Sequence, residues 1–110
     1  MASLGKTVLK GVSGKTYRFK VYPLGTRFRK LSGVYLITRR CRKADGSYGH
    51  LTLYVGQSED FSQPWEHHRK AAQLRRRGAN CICLQSDESD KSRRAKEKDL
   101  VAVIHPVCND

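Results

Sequence analysis

Glu97 is the carboxylate whose place in the sequence points most directly to chemistry. It lies in a helix-forming segment in which apolar residues recur at helical spacing, namely Leu100, Val101 and Ile104. At about 100° per residue these three side chains form one stripe, and Glu97 falls in the middle of it. An ionised carboxylate that faces a core without a partner costs several kcal/mol. We therefore expect Glu97 to meet a cation or to open onto a cleft.

Two partners for this carboxylate are consistent with the sequence. Mg²⁺ or Mn²⁺ is a hard cation that prefers oxygen ligands, and one such ion bound to Glu97 would balance its charge. Water and substrate oxygens would have to complete the shell, because a single carboxylate is a sparse site. Arg93 lies one helical turn earlier, and an ion pair with Arg93 explains an inward Glu97 equally well.

Two tyrosines each have a glycine two residues away. Tyr35 follows Gly33 and Tyr54 precedes Gly56, both within apolar runs rich in β-branched and aromatic residues that predict strands. Because strand side chains alternate, each tyrosine shares a face with its glycine, which leaves space beside the phenol for a backbone or a phosphate. Packing in a half-buried hairpin explains a tyrosine pair as well, so the motif alone does not establish a site.

The elements that must position these residues follow from hydrophobic periodicity. The predicted strands cover residues 7–9, 15–22, 33–38, 50–55 and 80–84. The predicted helices cover residues 64–77 and a segment that begins near the polar run after residue 84 and ends at Ile104. We therefore expect an α+β fold, with a small central antiparallel sheet of about three strands flanked by helices. Residues 1–30 are expected to form an N-terminal β-hairpin extension packed on a core domain of residues 31–110.

The composition favours a polyanionic partner. Lysine and arginine number 22 against 10 acidic residues, which gives a formal charge of +12 at pH 7. Charge of this size favours nucleic acid of some kind, although ribosome-associated proteins and merely basic surfaces have similar compositions. Since no segment is apolar for long enough to cross a membrane and the N-terminus lacks a secretory signal, we expect no membrane partner and a cytoplasmic location. The oligomeric state stays open.

The tyrosine and glycine pairs, with the residues that follow them, resemble the GIY-YIG nuclease superfamily. The two tripeptides at residues 33–35 and 54–56 match its name-giving motifs, and the resemblance extends from Gly33 to Asn109. The other residues that stand at the family's offsets are His68, Glu97, Leu100, Val101, Pro106 and Asn109. This resemblance covers roughly the last two thirds of the chain, and it implies that DNA is preferred over RNA as the nucleic-acid partner.

The resemblance implies a role for each matching residue. Tyr35 and Tyr54 would lie around the scissile phosphate, one of them positioning or activating the attacking water, with His68 as a neighbouring hydrogen-bonding or proton-transfer group. Glu97 would hold the metal ion. Gly33, Gly56 and Asn109 would support the site, although a frayed terminus also accounts for Asn109. A phenol with a pKa near 10 is a poor base unless cations lower that value.

Several cations are candidates for contact with the nucleic-acid backbone. Arg39 and Arg40 begin the long connection between the two tripeptides, which is predicted to be a protruding basic hairpin or a solvated loop. A second group is predicted on the first helix, where cations near its C-terminus are also favoured by the helix dipole. The candidates in this group are Arg69, Lys70, Arg75 and Arg76, and Arg93 on the second helix is a further candidate.

One departure from the family pattern bears on activity. The family has an arginine four residues before the histidine, and here that position is Pro64. Arg93 is the candidate to compensate, because Arg69 would point elsewhere on a continuous helix. Two functions therefore follow as expectations. One is a metal-dependent endonuclease that hydrolyses phosphodiester bonds in DNA, and the other is a module of the same fold that binds DNA or RNA without cleaving it.

Overall fold

The computed structural model describes residues 3–109, which form one five-stranded antiparallel sheet and two α-helices. The strands are β1 (Gly5–Lys10), β2 (Thr16–Pro23), β3 (Gly33–Arg42), β4 (Tyr48–Ser58) and β5 (Cys81–Ser86). The helices are α1 (Ala71–Arg76) and α2 (Asp90–Ile104), and a single 3₁₀ turn covers Trp65–His67. The spatial order of the strands is β1-β2-β5-β3-β4, so β1 and β4 are the edges.

The expected three-stranded sheet flanked by helices is wrong. Residues 3–109 are mostly sheet, with five strands that curl into a half-barrel and two α-helices. The difference arises because β2 pairs with β5 over four residues, from Lys20 opposite Leu84 to Pro23 opposite Cys81. The N-terminal hairpin therefore continues the central sheet and is not an extension attached to it.

The alternation in β2 places one face of the sheet against α2. Tyr17, Phe19 and Val21 are buried, whereas Arg18 and Lys20 are exposed, as the sequence predicts for a half-buried strand. The buried residues pack in one cluster with strand residues of β3, β4 and β5 and with Leu100 of α2. This cluster fixes α2, and with it Glu97, relative to the sheet.

The opposite face of the sheet carries the tyrosines. Tyr35 and Tyr54 belong to a second buried cluster, which is covered by Phe61, by Leu74 of α1 and by Cys108 near the C-terminus. The predicted pairing of β3 with β4 is confirmed, with Tyr35 opposite Gly56. The register shifts beyond Ile37, and β3 pairs with β5 only as far as Thr38, so the outer part of this hairpin is two-stranded.

The helix predicted over residues 64–77 is interrupted. The 3₁₀ turn begins after Pro64 and ends at His68, whose backbone is extended (ψ 133°), and α1 starts only at Ala71. The second helix is confirmed: Ser89 is its N-cap and accepts a hydrogen bond from the Ser92 N–H, and His105 ends it in a left-handed conformation (φ 50°). None of the helices in residues 3–109 is long and apolar enough to span a lipid bilayer.

Candidate active site

Two tyrosine rings and one imidazole come together on the face opposite α2. The Tyr35 and Tyr54 rings are stacked with centroids 6.0 Å apart, and the His68 ring stands edge-on to Tyr54 at 4.8 Å. The Tyr35 Oη and His68 Nε2 atoms are 2.8 Å apart and share a hydrogen bond. The extended backbone at His68 is what brings this ring over the strands, since the chain leaves the 3₁₀ turn there.

The second nitrogen of His68 decides its tautomer. The Lys70 backbone N–H donates to His68 Nδ1 at 3.0 Å, so Nδ1 carries no proton. Burial, followed by the charges of Arg69 and Lys70, lowers the pKa of His68 below its ordinary value. The neutral imidazole therefore carries its proton on Nε2 and donates it to the Tyr35 oxygen.

Tyr35 is held in its protonated form. Burial raises the pKa of Tyr35 well above its ordinary value, and the neighbouring Tyr54 and Glu97 raise it further. Arg69 opposes this shift but does not outweigh it. The cations of the chain therefore do not turn this phenol into a base. Because Tyr35 Oη accepts from His68, its own hydrogen is available for an acceptor in the cleft or on Tyr54.

Glycine is required at both motif positions. A Cβ on Gly56 would lie 2.7 Å from the Tyr35 Cζ and Oη atoms and 2.8 Å from Tyr54 Cε2, so a side chain there would displace both rings. A Cβ on Gly33 would collide with the carbonyl oxygen of Gln85 on the paired strand β5. Gly56 thus makes room for the phenols, and Gly33 permits close strand pairing.

Glu97 lies on α2 beside the backbone of Gln57, the β4 residue that follows Gly56. Its side chain is partly buried, and burial raises its pKa, while the charge of Arg94 and hydrogen bonding to the Gln57 backbone act in the opposite direction. Its charge also contributes to the raised pKa of Tyr35, so carboxylate and phenol lie within electrostatic reach. Among the described residues no cationic nitrogen lies within ion-pair distance of the Glu97 carboxylate, and the charge of Arg94 acts on it from farther away.

The donor set around Glu97 suits a hard cation only in part. Carboxylate and phenol oxygens are the ligand type that Mg²⁺ and Mn²⁺ prefer. However, residues 3–109 contain no group of three or more histidine, cysteine or acidic side chains that could hold an ion. Glu97 would be the one charged ligand, and oxygens of water and substrate would have to provide the rest of the shell.

Arg93 is occupied elsewhere and does not pair with Glu97. It is only 3 % exposed, and its guanidinium donates to Gln57 Oε1 at 2.9 Å and to the Asp87 carbonyl at 3.1 Å. The same group lies 3.4 Å from Asp90 and 3.9 Å from Glu59. The arginine therefore fastens α2 to β4 and to the segment before the helix, and it presents no free charge to a nucleic acid.

Asn109 holds the outer edge of β4 beside the tyrosines. Its Oδ1 accepts from the Val55 N–H and its Nδ2 donates to the Val55 carbonyl, both at 2.8 Å. Val55 lies between Tyr54 and Gly56, on an edge strand whose backbone would otherwise lack these partners. The Asn109 amide thus makes the two backbone hydrogen bonds that a neighbouring strand would make, and it holds the β4 backbone in place beside the tyrosines.

The remaining sequence-predicted cations lie at the surface or near it. Arg39, Arg69, Arg75 and Arg76 are exposed. Arg40 covers the Tyr48 ring at 3.6 Å on the two-stranded part of the hairpin, and Arg75 lies 5.0 Å from the centroid of the Trp65 ring. The expectation that Arg69 points away from the site assumed a continuous helix, whereas its charge acts on both Tyr35 and His68.

Residues that the motif does not mark also line the site. A cavity of about 110 Å³ adjoins Tyr35 and His68, and its walls include Phe28, Phe61 and Trp65. Gln57 was equally unmarked, although it orients Arg93 and contacts Glu97 through its backbone. Its position directly after Gly56 is the one feature of the sequence that could have identified Gln57 as a residue of the site. The aromatic residues lie in loops, where spacing carries no information about contact.

The comparisons with known proteins add no relative. A scan against protein-family models, a search of curated proteins and a search of solved structures each found no match to this chain.

Proposed function

We propose that the protein is a metal-dependent endonuclease that hydrolyses phosphodiester bonds in DNA at the cluster of Tyr35, Tyr54, His68 and Glu97. The observation that carries the proposal is that an unpaired, partly buried carboxylate lies within electrostatic reach of Tyr35, a protonated phenol that stacks on Tyr54 and is fixed by a neutral imidazole. A divalent cation bound by Glu97 would supply charge stabilisation to a scissile phosphate. A formal charge of +12 would draw the polyanion to the protein.

The residues of this chain would then orient the reacting groups. His68 holds the Tyr35 oxygen through Nε2–H, so the remaining Tyr35 hydrogen can be donated to a phosphate oxygen or to the attacking water. Tyr35 acts as a neutral positioning group, since its raised pKa excludes a phenolate at neutral pH, and the ring of Tyr54 stacks against it. Arg69 is the cation whose charge acts on Tyr35 and His68. It is therefore the candidate to replace the arginine that the family pattern has at the position of Pro64.

Plasmid nicking tests the proposal. Supercoiled DNA is incubated with the protein and Mg²⁺ or Mn²⁺, and open-circle product is quantified for the native chain and for Glu97→Gln. We expect metal-dependent nicking that falls at least a hundredfold in Glu97→Gln, while Glu88→Gln, which removes an exposed carboxylate, keeps the native rate. Absence of product at every protein concentration, or equal product from Glu97→Gln, would refute an endonuclease.

A second function is favoured by one observation. Pro64 stands where a preorganised positive charge is expected, and loss of such a charge typically costs on the order of a hundred- to a thousandfold in rate. The alternative is a module that binds DNA or RNA without cleaving it. It predicts salt-sensitive binding with no turnover. Arg69→Ala separates the two, because it should reduce nicking strongly if this arginine acts on the phosphate and should change only affinity if no chemistry occurs.

We also propose a cytoplasmic location. Cys41, Cys81, Cys83 and Cys108 are free thiols in the structure, and reduced cysteines are typical of that compartment.

A further inference from the structure

A basic groove lies on the tyrosine face of the sheet, at the side formed by β1 and β2. It is a groove of about 510 Å³ with an apolar floor that includes Leu31 and Leu84. The cations that line it are Lys6, Arg18, Lys20 and Arg29. Within the described residues no acidic side chain lines the groove, and none of the four cations forms an ion pair. The charge of this groove is therefore uncompensated.

The strand register connects this groove to the candidate active site. Lys6 lies opposite Lys20, Lys20 opposite Leu84, and Leu84 opposite Tyr35. Residues directly opposite one another in antiparallel strands point to the same face. The two lysines and Tyr35 thus belong to one row that runs across the strands. With strands about 4.8 Å apart, Lys6 lies about 15 Å from Tyr35 along this row.

Aromatic rings stand between the lysines and the site. Tyr22 and Phe28 pack edge to face with centroids 5.1 Å apart, and both line the groove. Phe28 also lines the cavity beside Tyr35 and His68, so it is the wall shared by the two depressions. Tyr22 is only partly buried and leaves part of its ring accessible.

We propose that this groove binds a single-stranded segment of nucleic acid that continues from the phosphate held at Tyr35. The proposal names the substrate class of the function proposed above and rests on it for the position of that phosphate. Lys6 and Lys20 contact successive phosphates, and a base stacks on the ring of Tyr22. At about 3.4 Å per nucleotide in a stacked strand, the 15 Å row accommodates about four nucleotides.

The groove suits a single strand better than a duplex. A duplex presents its phosphates outward and keeps its bases paired, so it would leave the apolar floor and the aromatic rings without a partner. A single strand exposes base faces together with phosphates, and proteins that bind it combine a positively charged groove with aromatic side chains. The groove has both features, in register with the candidate site. The substrate expected from this arrangement is therefore a duplex with a single-stranded tail.

Fluorescence anisotropy in EDTA tests the groove without any hydrolysis. The probes are a fluorescein-labelled 12-nucleotide DNA of mixed sequence, the RNA of the same sequence, and the blunt DNA duplex. We expect the variant Lys6→Ala/Lys20→Ala to bind the single strands at least tenfold more weakly than the native protein at 100 mM salt. The slope of log K against log salt should fall by about 1.4, since each lost phosphate contact on a single strand contributes about 0.7. The DNA and RNA arms show which single strand is preferred.

A matched control removes the same charge from the other face. Lys91 and Lys98 are exposed on α2, which packs on the opposite side of the sheet. The variant Lys91→Ala/Lys98→Ala should lose less than threefold in affinity and keep the native slope. A third variant, Tyr22→Leu, retains an apolar side chain against Phe28 and should weaken single-strand binding about tenfold with an unchanged slope. Equal losses in both lysine variants, or a loss for the duplex as large as for the single strands, would overturn the proposal.

The outcomes separate this inference from the proposed function. Failure of the native protein to nick any DNA refutes the endonuclease, yet the contrast between the two lysine variants in EDTA still decides whether the groove binds single strands. Conversely, nicking without that contrast refutes the groove alone. If both hold, the native chain should cleave a duplex with a single-stranded tail at least tenfold faster than the blunt duplex, and Lys6→Ala/Lys20→Ala should abolish this preference.

Discussion

A phenol that accepts a hydrogen bond from a neutral imidazole has a different function from one that gives its proton away. In this protein the Lys70 N–H occupies His68 Nδ1, and the protonated Nε2 faces Tyr35. His68 cannot remove the Tyr35 proton in this arrangement, because both nitrogens are already committed. The pair is suited to orienting a hydroxyl hydrogen toward a phosphate oxygen or a water molecule, and Glu97, whose pKa is raised by burial, is the remaining acidic group of the proposed site.

Gly56→Ala should damage the site through one added methyl group. Its Cβ would lie 2.7 Å from Tyr35 Oη and 2.8 Å from Tyr54 Cε2, so the rings must move and the hydrogen bond to His68 is strained or lost. Overpacking of this kind typically costs about 1–3 kcal/mol in the free energy of unfolding. Urea denaturation should reveal that loss, and plasmid nicking should fall at least tenfold.

Gly25→Ala is the control for this change. No atom lies within 4 Å of a Cβ at that position, and the residue is exposed. Its substitution should leave nicking unchanged and alter stability by no more than about 1 kcal/mol. Equal effects of the two substitutions would show that Gly56 does not keep space for the rings.

The sequence predicts which residues share one face of a helix or strand, but it does not predict contacts between distant segments. The placement of Glu97 on the apolar stripe of α2 follows from helical spacing, and its partial burial agrees with that placement. The partners of Arg93 follow from no spacing, because Gln57 and Glu59 come from β4 and the turn after it. The tautomer of His68 depends on a loop N–H for which composition gives no signal.

Among the elements, the segment between β4 and α1 shows how a tertiary contact overrides helical propensity. A proline at 64 and apolar residues beyond it favour a helix over 64–77. In the structure the chain instead extends at His68, where its ring hydrogen-bonds to Tyr35 and stands against Tyr54. A continuous helix could not place His68 there and also bury Leu74 in the core. The interruption is also what brings the charge of Arg69 within reach of Tyr35.

The start of α2 depends on Asp87, which gives a pH-dependent prediction. Its carboxylate accepts from the Ser89 N–H and pairs with Lys96 Nζ, both at 3.0 Å, and a hydrogen bond from the Ser92 side chain is the main cause that lowers its pKa to about 2. The folded state thus favours the charged form. The resulting stability is present above the ordinary aspartate pKa near 4 and is lost as the pH falls toward 2.

Asp87→Asn should therefore lower the free energy of unfolding by about 1 kcal/mol at pH 7, a value reduced for solvent screening. The difference from the native protein should shrink between pH 4 and pH 2. Urea denaturation at pH 7, 3 and 2 measures it, and Glu88→Gln, the exposed neighbour, should change stability by less than about 0.5 kcal/mol at each pH. A difference that does not depend on pH would contradict the assigned role of the charge.

At the scale of the whole molecule, the order of strands could not be predicted from local pattern. The hairpins β1-β2 and β3-β4 connect neighbours in the sequence, and turn residues and alternation predict such pairs. The strand between them, β5, comes from about sixty residues after β2 and completes one sheet. No local sequence pattern indicates a strand pairing over that distance. The sequence therefore predicts a small core with an appended hairpin, whereas the chain forms a single sheet.

This arrangement predicts that a fragment of residues 31–110 does not fold as the full chain does. Removing β2 takes Tyr17, Phe19 and Val21 out of the cluster beneath Leu100 and leaves β5 as an unpaired edge. Phe19 is 1 % exposed, and loss of a phenylalanine from a core alone costs about 3–5 kcal/mol. Thermal unfolding followed by circular dichroism should show a cooperative transition for the full chain, a lower one for Phe19→Ala, and none for the fragment. A sharp transition in the fragment near that of the full chain would mean that residues 31–110 form a complete core and that the first two strands only pack against it.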